Sequence, residues 1–370
     1  MIYIHIPFCH RKCTYCAFYS KPLASTTEAR LTAAAYVDAL VDEMRRRRDE
    51  QAHPIHTIYI GGGTPSLLPL GQMARVVGAL RKCFDLSQLE EATIECNPED
   101  LTQEYLLGLK DIGLFNRLSI GLQSLDDEML HLIGRRHTAQ QAVEAVERAY
   151  SVGFHNISVD FMYGLPQMSQ LPAFDFRLVN HVSAYALTVE EGTALAVQVR
   201  QGRVSLPSDD ELVRQYYAMR EHLAKAGFEQ YEVSNYCRPG YHSRHNSRYW
   251  NRTPYLGLGA AAHSFDGSRR RWNVADVKQY IATQAFEEET LTDRDAYNEL
   301  LMTALRTTAG LSLADVPERC RSDFRRKMQR YVDCGWIKLS TPHSPHYTLF
   351  QPTAEGLLHA DGMAADLFEM

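Results

Sequence analysis

The stretch Cys9-His-Arg-Lys-Cys13-Thr-Tyr-Cys16 places three cysteines at the spacing C-x3-C-x2-C, close to the start of the chain. A cubane [4Fe–4S] cluster takes one ligand per iron, usually four cysteines, so three thiolates leave one iron with an open position. A zinc site would need a second, well-separated pair of ligands, and no partner C-x2-C follows downstream. Three free core thiols are the other alternative, but this loop is polar and basic. We therefore expect Cys9, Cys13 and Cys16 to hold an iron–sulfur cluster.

The composition is that of an ordinary globular protein. The chain has 370 residues, 45% of them hydrophobic and 23% charged, which allows one large domain and a smaller one. The formal net charge of -6 argues against a general nucleic-acid binder. The chain starts with a strand-like run rather than a signal sequence, and no apolar run has the length of a membrane span. These features, with scattered remaining cysteines, predict a cytoplasmic protein with reduced thiols.

Strand-like apolar runs alternate with amphipathic helical stretches up to about residue 234. The runs expected to form strands are residues 2–6, 55–60, 92–96, 117–120, 157–162 and 184–189. The stretches expected to form helices are residues 31–44, 73–83, 102–111, 139–152 and 212–226. This alternation predicts an α/β fold, a partial (β/α)6 barrel, with residues 228–234 as a candidate seventh strand. A doubly wound open sheet is the alternative.

Polar residues or glycines lie just after five of the predicted strands. They are Cys9, Gly61, Glu95, Gln123 and Asp160. The carboxyl ends of the strands carry the chemistry in β/α barrels, so these five regions should converge on one mouth.

The predicted second and third strands end in residues with two interpretations each. Gly61-Gly62-Gly63-Thr64-Pro65 would let backbone groups approach a ligand, although a tight turn explains it equally well. No Gly-Lys-Ser/Thr follows, so it is not a Walker A loop. Glu95 could bind an ammonium group or ribose hydroxyls, or form a salt bridge at the rim.

The remainder of the chain departs from the alternating pattern. Residues 1–234 are expected to form the barrel domain, residues 235–290 an irregular connecting segment and residues 291–370 a small domain. In the last of these, helices at 295–307, 313–316 and 322–334 precede a hairpin of strands at 336–340 and 346–350. That order resembles a winged helix. The cations Arg325, Arg326, Lys327 and Arg330 are interpreted as a solvated helix face, so no nucleic-acid partner is expected.

Taken in order, these motifs resemble the radical-SAM family that includes oxygen-independent coproporphyrinogen III dehydrogenase and the HemW heme chaperones. The resemblance rests on residues 3–9, the cysteine loop with Tyr15 beside it, and residues 61–66, 94–98, 119–124, 160–166 and 231–236. It implies a radical-SAM barrel whose open iron chelates S-adenosylmethionine (SAM). It further implies the following SAM or substrate contacts: Tyr3, Tyr15, Gly62, Gly63, Thr64, Glu95, Gln123, Arg135, Asp160 and Ala194.

Three features place the chain on the chaperone side of that family. The dehydrogenases carry a further cysteine two residues after the third, where this chain has Phe18, and they carry an extension before the cluster. The run His245-Asn246-Ser247-Arg248-Tyr249-Trp250, with the glycine- and alanine-rich residues 257–264 after it, resembles the signature of the chaperone branch. His245 is thus a candidate heme contact, with Tyr249 and Trp250 covering the porphyrin. The alternative is that His245 only hydrogen-bonds a loop.

The resemblance implies a heme chaperone that passes heme to heme-dependent respiratory proteins, with candidate sites of delivery at the membrane surface. A [4Fe–4S] cluster and SAM would serve its structure or its assembly into a homodimer. The alternative is an enzyme of porphyrin metabolism, in which radical-SAM chemistry decarboxylates propionate side chains of coproporphyrinogen III. A radical-SAM protein with another substrate is a third possibility.

Overall fold

Six parallel strands form the centre of the main sheet and follow one another in sequence order. The computed structural model describes residues 1–23, 26–51, 53–166, 174–340 and 348–369. The barrel strands, numbered first to sixth below, are Ile2–Ile6, Thr57–Gly62, Glu91–Cys96, Arg117–Gln123, Ile157–Tyr163 and His181–Ala186. Each pairs in parallel with the next. The doubly wound alternative is excluded, because its strand order reverses at a switch point.

Helices cover the outside of this sheet close to where the sequence predicts them. Ala139–Ser151 shows the reason: Thr138 and Gln141 form a capping box at its start, and an apolar stripe recurs with helical spacing. The buried stripe consists of Ala142, Ala145, Val146 and Ala149. The other predicted helices span Thr27–Arg46, Leu70–Cys83, Gln103–Ile112 and Asp209–Lys225.

The sixth strand begins three residues before the predicted run. Its first residues are missed because His181 and Ser183 are polar, yet both side chains are buried. The His181 ring makes hydrogen bonds of 2.8 Å to the Ser158 hydroxyl and 2.8 Å to the Tyr231 hydroxyl. Polar side chains that satisfy one another inside a barrel hide a strand from a search for apolar runs.

Of the predicted seventh strand at 228–234, only the two residues Glu229–Gln230 form a strand. It pairs antiparallel with the short strand Asn235–Cys237 that follows. Asn235–Cys237 is also antiparallel to the sixth strand. At the opposite edge, Leu256–Leu258 pairs in parallel with the first strand. Among the described residues the sheet therefore has nine strands and two separate edges, as expected for an incomplete barrel.

The segment 235–290, expected to be irregular, contains regular elements. Helix Arg244–Trp250 precedes the edge strand Leu256–Leu258, and helix Val277–Thr283 follows later. Between and after them lies an antiparallel sheet of three strands, His263–Phe265, Arg269–Asn273 and Phe286–Thr290.

The C-terminal part has the helices and hairpin of a winged-helix-like unit. Its helices are Asp293–Ala304, Arg321–Asp333, Ala354–Leu358 and Ala360–Leu367, and its antiparallel sheet has the strands Leu311–Ser312, Leu349–Pro352 and Ile337–Ser340. The predicted helix at 313–316 is wrong: turns follow Leu311–Ser312 instead, with the Leu313 amide bonded to the Thr348 carbonyl at 2.9 Å. Positions 346 and 347 of the predicted hairpin lie outside the described residues.

Buried apolar side chains of the described residues form three clusters. The first lies under the main sheet, the second joins side chains between Tyr297 and Leu367, and a smaller third cluster lies between Met129 and Val204. The proposed division into 1–234, 235–290 and 291–370 stays a prediction, which the separate second cluster supports. Among the described residues, no helix combines the length and apolar character that crossing a bilayer requires.

Candidate functional site

One cavity of about 500 Å³ opens at the carboxyl ends of the barrel strands. Most of the residues predicted for the site line this cavity. They are Cys9, Cys13, Tyr15, Cys16, Gly62, Gly63, Thr64, Glu95, Gln123, Arg135 and Asp160. The convergence of strand ends on one mouth is therefore what the structure has.

The cysteine loop is fixed to the barrel at both sides. Its short strand Phe8–Cys9 pairs with Lys21–Pro22. The Thr14 amide donates to the Ile133 carbonyl at 3.0 Å, and the Thr14 carbonyl accepts from the Leu195 amide at 2.8 Å. The loop thus presents its three thiols to the cavity from a backbone held by hydrogen bonds.

The three thiols have polar neighbours. The Thr64 hydroxyl donates to Cys9 Sγ at 3.5 Å, and Arg135 Nη1 lies 3.8 Å from Cys13 Sγ. Burial raises the pKa of the Cys9 and Cys16 thiols. Among the described residues, no three His, Cys, Asp or Glu side chains are grouped to hold one metal ion. In a four-iron cluster each cysteine binds a different iron, so three thiols that line one cavity need not converge on a single ion.

The glycine turn after the second strand needs its glycines for packing against the cysteine strand. Gly63 donates its amide to the Ile6 carbonyl at 2.8 Å, and the Thr64 amide donates to the Phe8 carbonyl at 2.7 Å. A Cβ on Gly63 would lie 2.6 Å from the Phe8 carbonyl oxygen, which is too close. Close approach of two backbone segments thus explains this glycine without a ligand.

Gly62 is constrained by conformation and by His5. Its φ of +110° lies in the region that favours glycine, and a Cβ there would come within 2.6 Å of the His5 ring. Its amide donates to Glu95 Oε2 at 3.0 Å, so the turn positions the carboxylate.

We expect Gly62→Ala to weaken SAM binding by about tenfold or more, because the turn and Glu95 must both move. The physical cause is strain in the protein rather than a side chain that intrudes on the ligand. Gly71→Ala is the matched control, since nothing lies within 4 Å of a Cβ at that helical position. Calorimetry with SAM on the reconstituted variants measures the effect, and equal affinity in both would remove the role of the Gly62 turn.

Two half-buried carboxylates form the floor of the cavity. Glu95 accepts from the Tyr59 hydroxyl at 2.8 Å and from the Gly62 amide, and it forms no ion pair among the described residues. Burial raises the pKa of Glu95 to about 7, and the nearby charge of Asp160 adds to this. Burial likewise raises the pKa of Asp160 to about 6. Glu95 therefore does not form the salt bridge at the rim that was the alternative to ligand binding. Both carboxylates favour a cationic ligand.

Arg135 and Gln123 complete the wall between floor and cysteine loop. Arg135 Nη2 donates to the Asn97 side chain at 2.8 Å and to the Gly121 carbonyl at 2.7 Å. Gln123 has a φ of 67°, and the pairing register with the fifth strand shifts between Gly121 and Gln123. A strained residue at a bulge next to a cavity is typical of a functional site.

Sequence reasoning missed further lining residues, among them Asn97, Ser119 and Tyr185. Asn97 holds Arg135, Ser119 donates to Asp160 at 3.4 Å, and Tyr185 lies at the end of the sixth strand. The signal that could have found Ser119 is strand alternation, because it lies two residues before Gly121 and faces the same side.

Two predicted SAM contacts lie outside the set that lines the cavity. The Tyr3 hydroxyl forms a hydrogen bond of 3.0 Å with His5 Nδ1. The Tyr3 ring stacks on the Tyr59 ring, with 6.3 Å between the ring centroids. Tyr3 thus supports the residue that holds Glu95. Ala194 is exposed at the start of helix Ala194–Arg200.

The candidate heme residues lie at the opposite end of the barrel from the cysteines. His245 Nδ1 makes a 3.0 Å hydrogen bond to Thr57, the first residue of the second strand. Its amide donates to Glu91, the first residue of the third strand, at 2.9 Å. Helix Arg244–Trp250 therefore closes the amino end of the barrel.

His245 has no ring nitrogen free for an iron ion. Its Nε2 makes a 3.1 Å hydrogen bond to the Tyr249 hydroxyl, and the side chain is fully buried. Burial lowers the pKa of His245 to about 3, so the ring stays neutral. The Arg306 guanidinium lies over the Trp250 ring, with 5.6 Å from its carbon to the ring centroid. This geometry matches the alternative in which His245 hydrogen-bonds its surroundings, and it does not favour heme ligation there.

Comparison with known proteins agrees with the geometry of the cavity. The family model of the Radical SAM superfamily matches residues 3–170. The heme chaperone HemW of Lactococcus lactis is 35% identical over 334 residues, which cover 88% of this chain and 86% of that protein. HemW of Bacillus subtilis is 35% identical over 325 residues, 84% of each chain.

A solved structure shows the same fold over almost the whole chain. It is that of coproporphyrinogen III oxidase (HemN) from Escherichia coli, a radical SAM enzyme, with a TM-score of 0.80 at 22% identity. The match covers 99% of this chain and 89% of that one. At this identity the likeness concerns the fold alone. The sequence similarity carries the assignment: the chain belongs to the HemW heme chaperone family, within the radical SAM superfamily.

Proposed function

We propose that this protein binds heme and delivers it to heme-dependent respiratory proteins. The observation that carries the proposal is the 35% identity to a HemW heme chaperone over 88% of the chain. The proposed setting is the cytoplasm, with acceptors at the membrane surface and a homodimer as the proposed assembly.

The proposed cofactors are a [4Fe–4S] cluster on Cys9, Cys13 and Cys16, and SAM beside it. The cluster would supply an open iron that chelates an amino acid moiety. The chain's own residues support both: the thiols face one cavity, and the carboxylates of Glu95 and Asp160 give its floor negative charge suited to a sulfonium ion. Arg135, hydrogen-bonded to Asn97, would hold in place the cavity wall between the cluster and SAM.

We expect SAM affinity to rise by about tenfold between about pH 6 and about pH 8, and then to level off. Burial raises the pKa of Glu95 from 4.5 to about 7, so the fold favours the neutral acid at low pH. The carboxylate that attracts the cation forms only as the pH rises through that value. Calorimetry across this range measures the effect. Glu95→Gln should bind weakly with a flatter profile, and an unchanged profile would assign the titration to another group.

We expect His245→Ala to lower stability by about 2–4 kcal/mol while heme affinity stays unchanged. The substitution removes a buried ring and leaves Thr57 and Tyr249 without their shared partner. His242→Ala is the control, because that neighbouring histidine is exposed. Urea unfolding and heme titration measure the two effects. Loss of heme binding in a folded His245→Ala protein would return the heme site to this helix.

Anaerobic reconstitution distinguishes the proposed function from the enzyme alternative. The reconstituted protein should retain heme through gel filtration and pass it to an apo-hemoprotein, seen as a shift of the Soret band. With SAM and a reductant it should leave coproporphyrinogen III unconverted. Formation of protoporphyrinogen IX would overturn the chaperone proposal in favour of radical-SAM decarboxylation.

A further inference from the structure

The rim of the cavity has a composition different from its floor. Phe18, on the cysteine loop, is 71% exposed although it lines the cavity. Other aromatic rings of the site, such as Tyr15, are largely covered. A large apolar side chain left in water on the loop that carries the thiols costs free energy, which a bound apolar surface would recover.

Two cations share the lining of the cavity with this ring, and the exposed carboxylate of Glu190 belongs to the same lining. Arg11 and Lys12 are exposed and line the same cavity. Lys12 Nζ donates to the Phe18 carbonyl at 3.2 Å, which holds the ammonium group at the Phe18 backbone. Neither cation forms an ion pair within the part of the chain that the structure describes. We call Arg11, Lys12 and Phe18 the rim patch.

Charge therefore reverses along the depth of the cavity. The floor has the carboxylates of Glu95 and Asp160, whereas the rim patch is cationic and apolar. A cationic sulfonium ligand is complementary to the floor. The rim patch is complementary to a ligand of the opposite kind, flat and apolar on one face with carboxylates at its edge.

We propose that the rim patch is the heme-binding site of this protein, with Phe18 against the porphyrin face and Arg11 and Lys12 on the two propionates. This inference rests on the proposed function and gives it a location. The patch includes no histidine, so the porphyrin and its carboxylates, rather than an iron–imidazole bond, supply the affinity. A heme held this way keeps its iron available to the histidines of an acceptor.

Two variants test the apolar and the charged part separately. Phe18→Ser and the pair Arg11→Glu with Lys12→Glu should each weaken heme binding about tenfold or more in the reconstituted full chain. Phe286→Ser is the control for the ring, because Phe286 is also exposed but lies on the antiparallel sheet. Arg325→Glu with Lys278→Glu controls for the charge change, since both are exposed elsewhere.

The probes are heme and iron-free protoporphyrin IX, titrated by fluorescence quenching at low and high salt. Both should bind the wild type with similar affinity, and salt should weaken wild-type binding but not that of the charge-reversed variant. Iron content and SAM affinity are measured alongside. If Phe18→Ser loses iron, the charge-reversed variant decides the test.

The outcomes separate this inference from the proposed function. A wild type that binds no heme overturns both. A wild type that binds heme, with both rim variants matching it, leaves the chaperone function intact and overturns the rim site. Sedimentation tests one further outcome. If the rim variants lose self-association while their heme affinity is unchanged, the rim patch is a contact between two copies of the chain and the heme site is overturned.

Discussion

We expect the reconstituted protein to hold about four iron atoms per chain. Replacing Cys9, Cys13 or Cys16 by serine should remove essentially all of this iron. In the proposed cluster each thiolate would bind a different iron, so none could compensate for the loss of another. The three thiols line one cavity on a loop held by hydrogen bonds of its backbone. Iron analysis and the visible absorption of the cluster measure the outcome.

Cys96→Ala is the most demanding control for this prediction. Cys96 also lines the cavity, but its side chain is buried, and its thiol donates to the Ile94 carbonyl at 3.7 Å. Burial raises the pKa of this thiol well above its usual range, which disfavours the thiolate that iron requires. Iron should therefore be retained, as also in the exposed Cys334→Ala variant. Loss of iron in the Cys96 variant would show that the ligand assignment is incomplete.

Replacing Glu43 by alanine should cost about 3–5 kcal/mol of unfolding free energy, because it leaves a buried guanidinium without its buried partner. Glu43 is 1% exposed and accepts from Arg47 at 3.0 Å. It also accepts from the Tyr280 hydroxyl at 2.6 Å, the Asn273 amide at 2.7 Å and the Gly259 amide at 2.8 Å. Through these hydrogen bonds, the single carboxylate of Glu43 connects the segment 256–280 to the helix Thr27–Arg46.

Glu50→Ala is the matched control, because Glu50 binds the same arginine at 2.7 Å. Its side chain is 44% exposed, so water can replace it and the expected cost is below about 1 kcal/mol. Urea unfolding of both variants measures the difference. Equal costs would mean that burial of the ion pair does not govern its contribution.

Much of the barrel was predictable because its determinants are local. Five of the six barrel strands lie close to their predicted positions, since apolar runs bounded by turns report a buried parallel strand directly. The convergence of Cys9 and Glu95 followed from their places at strand ends, whereas Asp160 lies in the middle of the strand Ile157–Tyr163 and still lines the cavity. The sixth strand was misplaced because its buried polar residues pair only after folding.

The sequence by itself determined the cysteine spacing, the order of strands and helices and the family, because these depend on residue types at fixed separations. Only the tertiary structure decided what His245 and Phe18 do. The partners of His245 are Thr57 and Glu91, remote in sequence, and they turn a candidate heme ligand into a buried hydrogen-bonding residue. Phe18 is left in water beside the cavity, although its residue type favours burial. Burial and hydrogen bonding are properties of the folded neighbourhood, so residue type and spacing alone do not specify them.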